Sequence, residues 1–173
     1  MKTLSLFAFI SALFCFFTIS SNASDHREHK AHSHGIAKLN ISIEKDVIEA
    51  NLDIPGMDLV GFEGKAKTKE HKDRLKKVTE LLTKDYNLFL IDESAGCNVI
   101  KRKLDSDSHD HGAGHSEYEY EIEYKCKDIA KVKELDVNIF RDIESLNKVT
   151  VQLVTEKIQK EVKLNRTSSK VEL

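Results

Sequence analysis

The sequence predicts a single α+β domain: a mainly antiparallel β-sheet with one longer and one short helix packed on it, and a histidine-rich loop inserted in a disulfide-linked hairpin. Three observations carry that expectation. Apolar and polar residues alternate over two adjoining runs, 38–44 and 48–54, which is the period of strands with one wet face. Over 68–84 the apolar period lengthens to that of a helix. Between Cys97 and Cys126 two further strand-like runs flank a polar, glycine-containing stretch.

The chain opens on Met1-Lys2, a short positive start, and continues as an apolar run over 4–19 (LSLFAFISALFCFFTI). Ser20-Ser21-Asn22-Ala23 follows, with Ser21 and Ala23 at the −3 and −1 positions of a cleavage site. This is the three-part pattern of a secretory signal peptide. The run is shorter than the about 20 residues that a membrane span needs, and Phe14 before Cys15 does not suit lipid attachment. Residues 1–23 are therefore expected to be cleaved on export, leaving 24–173 as one domain with no membrane contact.

The elements follow in order. Leu39, Ile41 and Ile43 alternate with Lys38, Asn40, Ser42 and Glu44, and Lys45-Asp46 turns the chain. Ile48, Ala50, Leu52 and Ile54 then alternate with Glu49, Asn51 and Asp53 until Pro55-Gly56 ends the run. Leu75, Val78 and Leu82, with Leu81 beside them, form a helical stripe, and Thr68 is its expected N-cap. The basic stretch 65–77, broken by Glu70 and Asp73, reads as that helix's solvated face. Leu135, Val137 and Ile139 suggest a strand, and 140–148 a short helix with Ile143 and Leu146 inward. Val149, Val151 and Leu153, then 158–164, suggest a closing hairpin. Strands, helix, strands, helix, strands is the order of a sheet with helices on one face.

Lys2 is the only charged residue before Ser24, so its removal leaves 26 Lys and Arg against 29 Asp and Glu, a net charge of −3. That balance gives no reason to expect nucleic acid. Cys15 leaves with the signal, and Cys97 and Cys126 remain as an even pair. In an oxidising compartment such a pair reads as a disulfide. Tyr118, Tyr120, Ile122, Tyr124 and Cys126 lie on one face of their run, so a hairpin with Cys97 opposite Cys126 puts Val99 against Tyr124 and Lys103 against Tyr120. Two thiolate metal ligands are the rival reading, without a CxxC spacing to support it.

Seven of the eight histidines fall in two short segments. His26, His29, His32 and His34 lie at the expected mature N-terminus, among Asp25 and Glu28. His109, His111 and His115 lie in the loop 105–116 (DSDSHDHGAGHS), among Asp105, Asp107, Asp110 and, next to it, Glu117. Neutral imidazole is the commonest metal ligand, and with carboxylate it suits Zn²⁺. Met57 is the only methionine after the signal, so a soft Cu(I) site is not expected, although imidazole and carboxylate would also accept Ni(II) or Cu(II). His32-x-His34 leads into the first strand, where residues two apart share a face, so this pair is the stronger candidate for a defined site. Glu63 and His71 are possible further ligands, His71 reading first as the edge of the helical stripe. The 105–116 loop, with its glycines and no large apolar residue, is expected to collect metal loosely.

Taken together, His32-Ser-His34-Gly35 before a strand, Leu59-Val60-Gly61-Phe62-Glu63 before a helix, the Cys97…Cys126 pair around a histidine-rich loop, Leu135-Asp-Val-Asn-Ile-Phe140 and Val151-Gln-Leu-Val-Thr155 resemble the ZrgA-like family of periplasmic zinc-binding proteins. The resemblance spans about residues 32–155. It implies a bacterial periplasmic protein that binds zinc and assists a zinc ABC uptake system, with the transporter's substrate-binding protein as partner. Two features depart from the family pattern: Gly64 stands where members usually carry histidine, and the loop is sparer in histidine. The expected function is thus zinc capture and hand-over, without enzymatic activity. Two alternatives differ in class: an interaction module that binds no specific metal, and a metal-dependent hydrolase, for which no HExxH or Gly-x-Ser-x-Gly motif is present.

Overall fold

Period-two alternation builds the first hairpin. The structure is a computed structural model and describes residues 33–107 and 115–173. β1 (Ile36–Glu44) and β2 (Val47–Pro55) pair antiparallel, with Leu39 opposite Leu52 and Ile41 opposite Ala50. Ala37, Leu39 and Ile41 are buried while Lys38, Asn40 and Ser42 face solvent. Lys45 adopts a positive φ of 55° to close the turn between them. The short α1 (Gly56–Leu59) follows β2 directly, and α2 (Lys69–Lys84) follows a loop. Thr68 caps α2, its side chain accepting from the His71 N–H at 3.1 Å. α2 lays Leu82 on the sheet, where Tyr120 Oη donates to the Leu82 carbonyl at 3.0 Å, and leaves Leu81 exposed.

β4 (Asn98–Asp107) and β5 (Glu117–Lys125) form the second hairpin, closed by a Cys97–Cys126 disulfide. Val99 faces Tyr124 as the alternation predicts, but a bulge at Ile100 then slips the register by one residue. Lys103 therefore meets Glu121, and Leu104 meets Tyr120. The extra residue is physically useful. It turns the apolar Ile100 outward and returns Leu104 to the buried side, beside Tyr118 and Tyr120. β7 (Lys148–Thr155) and β8 (Gln159–Leu164) pair antiparallel and complete a six-stranded sheet in the order β4-β5-β2-β1-β7-β8. Its β1–β7 pairing is parallel, with Leu39 beside Val151.

A second sheet escaped the sequence reading. β3 (Phe89–Leu90), β6 (Glu134–Val137) and β9 (Lys170–Glu172) form three short strands, with Phe89 opposite Val137 and Leu135 opposite Val171. Leu88, Phe89, Leu135, Val137 and Val171 join the buried face of the large sheet in one continuous core. The expected helix over 140–148 is one turn, α3 (Ile139–Asp142), and Ile139 belongs to it, not to the preceding strand. Ile143 and Leu146 are buried as predicted, but in extended and turn backbone. The Arg166 guanidinium donates to the carbonyls of Phe140, Ile143 and Glu144, so groups that a longer helix would pair internally are satisfied from outside.

Candidate metal centre

Strand direction alone brings distant residues to one end of the sheet. β2 is antiparallel to both its neighbours, so the start of β1, the end of β2 and the start of β5 share an edge. His34 stands two residues before β1 and His115 two residues before β5. β2 lies between them, and the segment that leaves β2 carries Glu63. One strand's separation on either side, about 4.8 Å each, is within side-chain reach.

The three side chains meet. His34 Nδ1 and His115 Nδ1 each lie 3.8 Å from Glu63 Oε1, and one ligand atom from each residue falls within 4.8 Å of the others. The imidazoles are edge-on, with ring centroids 6.2 Å apart. Tetrahedral zinc with bonds of about 2.0–2.1 Å sets ligand atoms about 3.4 Å apart. The two contacts to Glu63 are thus within a few tenths of an ångström of that spacing, and side-chain rotation of the half-exposed imidazoles is the movement that would close the group on an ion. The two imidazoles are roughly half exposed, at 52% and 42%, and Glu63 less so at 21%, so an ion here would keep a solvent-facing side.

Each ligand is held by its own backbone surroundings. His34 sits in a turn, not in the strand, because Gly35 takes φ of +77° before β1 begins. The His32 half of the expected His32-x-His34 pair lies outside the described residues. The turn is pinned by the Gly35 N–H donating to Asp58 Oδ2 at 2.7 Å and by the Gly35 carbonyl accepting from Asn147 and Lys148. The positive φ favours glycine there, and a Cβ on Gly35 would stand 2.7 Å from Asn147 Nδ2 and 3.1 Å from the Ser145 carbonyl oxygen, so the space is also tight. Glu63 follows Phe62, which is buried with Val60 and Tyr118 in a small apolar cluster. Its Oε2 accepts from the Ser116 N–H at 2.8 Å and lies 3.3 Å from Ser116 Oγ. Burial pushes the Tyr118 phenol above its ordinary pKa, and the Glu63 charge nearby adds to the effect.

His71 does not join this group; its ring stacks on Phe62 with centroids 4.1 Å apart and planes 2° from parallel. Among the described residues a second acidic group, Glu49, Glu121 and Glu123, also has ligand-like spacing. The Lys101 ammonium already bridges Glu121 and Glu123, with Glu123 Oε1 at 2.9 Å, and occupies the place a cation would take. Those carboxylates in turn hold the Lys101 pKa above its usual value. His26, His29, His32, His109 and His111 lie outside the described residues, as do the signal segment and most of the histidine-rich loop.

The family model described as ZrgA family zinc uptake protein matches residues 31–173, which takes in the whole sheet and all three converging side chains. This chain belongs to the ZrgA family. The ZrgA assignment makes its role zinc uptake and groups it with uptake proteins, not with an enzyme family. A search of curated proteins returned no match. For a ZrgA chain the donor set is apt: two imidazoles and one carboxylate are the ligands of many zinc sites that keep a fourth position open. Sequence reading put His34 and His115 in separate clusters with separate tasks, whereas the fold puts them on one ion-sized space. Asp58 and Ser116, which hold two of the three ligands, carried no sequence signal of that role.

Proposed function

We propose that this protein binds zinc in the periplasm through His34, Glu63 and His115 and passes it to the substrate-binding protein of a zinc ABC transporter. The observation that carries the reading is the convergence of those three side chains from three separate segments on one edge of the sheet. Three protein ligands with an exposed side suit a carrier: the ion is held, and a receiving protein's ligand has an open approach to it. The ligand chemistry accepts other divalent ions; family membership is what favours zinc. In this reading His109 and His111, with His26, His29 and His32, act as accessory capture ligands that raise the local supply of zinc.

Equilibrium dialysis and competition titration test the site. His34→Ala, Glu63→Gln and His115→Ala are each expected to weaken zinc binding by at least about tenfold, since loss of even an outer-shell partner commonly costs 10–100-fold. Unchanged affinity in all three would remove the site. Excision of 108–114 with His115 retained should lower the number of zinc ions bound without abolishing the tightest one. Equal stoichiometry would dispose of the accessory role. Transfer is tested by mixing the zinc-loaded protein with the transporter's binding protein, with movement of zinc between them expected to outpace spontaneous release.

A further inference from the structure

We propose that Ser116 is the positioning residue of this centre: it ties down one oxygen of Glu63, makes that carboxylate a single-oxygen ligand, and so sets the coordination number and the metal preference. The proposal rests on the reading of His34, Glu63 and His115 as the zinc ligands.

Ser116 is the one buried polar residue among the described residues, 4% exposed at a site whose ligands are open to water. All of its polar groups are engaged. Its N–H and hydroxyl both address Glu63 Oε2, its hydroxyl accepts from the Gly64 N–H at 3.2 Å, and its carbonyl accepts from the Gly56 N–H at 2.7 Å. With Gly64 occupying a lone pair, the single hydroxyl proton is free to go to Oε2. The space is shaped for this residue: a Cβ on Gly56 would lie 2.0 Å from Ser116 Oγ. The end of β2, the Glu63 loop and the start of β5 are thus fastened together at one residue, which is next in sequence to the ligand His115.

The chemical consequence follows from which oxygen is taken. Oε2 is held by two donors, while Oε1 is the atom that stands 3.8 Å from both imidazoles. A carboxylate with both oxygens free tends to grip a hard cation in bidentate fashion, as calcium sites do. One locked through Oε2 offers a single oxygen. The protein then supplies three ligand atoms, which is the number a tetrahedral zinc site with one exchangeable position uses. Cations that demand six or more oxygens find too few.

The wild-type protein and the Ser116→Ala and Glu63→Gln variants provide the test, with Co²⁺ as spectroscopic probe. In the wild type, the infrared difference between zinc-loaded and zinc-free protein should show the wide splitting of carboxylate stretches that marks single-oxygen ligation, and Co²⁺ should give intense tetrahedral absorption. Ser116→Ala keeps the N–H donor to Oε2 but removes the hydroxyl, which is both the second donor to Oε2 and the anchor of the Gly64 N–H. That loosening is expected to weaken the absorption towards higher coordination, to lower zinc affinity by about tenfold, and to narrow the preference for zinc over manganese. In a Glu63→Gln background the same change should have no further effect on affinity, because Ser116 acts through that carboxylate. A bidentate infrared signature in the wild type overturns the proposal without need of any variant. So does a Ser116→Ala protein with unchanged Co²⁺ spectrum and metal preference. If the wild type retains no zinc, the ligand reading falls and this proposal with it; retained zinc that is insensitive to Ser116 removes the positioning role alone.

Discussion

Asp58 shows how a residue far from the metal chemistry can decide whether a ligand is in place. Its Oδ2 is the acceptor for the Gly35 N–H, and Gly35 is the left-handed residue that delivers His34 to the site. Asp58→Ala leaves that N–H half-buried without a partner, at a cost of about 1–3 kcal/mol. It also frees the His34 backbone, so weaker zinc binding should accompany the lost stability. Asp58→Asn keeps an acceptor oxygen and should lose less of both. Urea denaturation read alongside a zinc competition titration checks this, and an Asp58→Ala protein as stable as wild type would count against it. His34 could be singled out from sequence because clustered imidazoles have a chemical meaning on their own, and Glu63 as a possible further donor near them along the chain. Asp58 could not, since one aspartate in a short helix means nothing until Gly35 is seen beside it.

The β4–β5 hairpin is pinned at both ends, by different chemistry. Cys97–Cys126 closes the end near Asp46, whose carbonyl accepts from the Cys126 N–H at 2.8 Å. His115 and Ser116 stand at the opposite end, beside Gly56. With the cysteines separated by 29 positions in sequence, the chain-entropy model assigns the disulfide about 3–4 kcal/mol. The double variant Cys97→Ser and Cys126→Ser is therefore expected to lose stability of that order in denaturant while zinc affinity stays within about twofold of wild type, since sites this far apart and without shared partners act independently. A matching loss of zinc binding would show that the two ends are coupled. The strands and the α2 helix were readable because their cues are local: alternation for the strands, and for α2 a 3.6-residue stripe and a threonine cap. The bulge at Ile100 was not, because only the packing of Leu104 against its neighbours makes the one-residue slip favourable.

At the scale of the molecule, four buried phenols tie the core to pH. Burial pushes Tyr86, Tyr118, Tyr120 and Tyr124 upward, Tyr124 to about 12. Each ionises later in the folded chain than in the unfolded one, so their contribution is whole below pH about 10 and is lost as pH rises through the folded values. Unfolding measured from pH 8 to 12 should show stability falling steeply above pH 10. Tyr124→Phe should reduce that fall by roughly 2–3 kcal/mol. At neutral pH it should cost about 1 kcal/mol, because the Phe89 N–H loses Tyr124 Oη, 3.2 Å away, as its acceptor. An alkaline transition identical in the two proteins would exclude Tyr124 as a source.

Read alone, the chain specified the two long hairpins, the capped helix over 69–84, the cysteine pairing and the residue types that a zinc-handling protein needs. These are properties of neighbours, set by side-chain period, caps and the chemistry of imidazole and thiol. The parallel seam between β1 and β7, the three-stranded second sheet and the meeting of His34 with Glu63 and His115 belong to the fold. They depend on β2 pairing with β5 and on very short strands finding partners across long stretches of chain. Such pairings are stabilised by a shared core, and a core is a property of the assembled sheet, not of any segment that enters it.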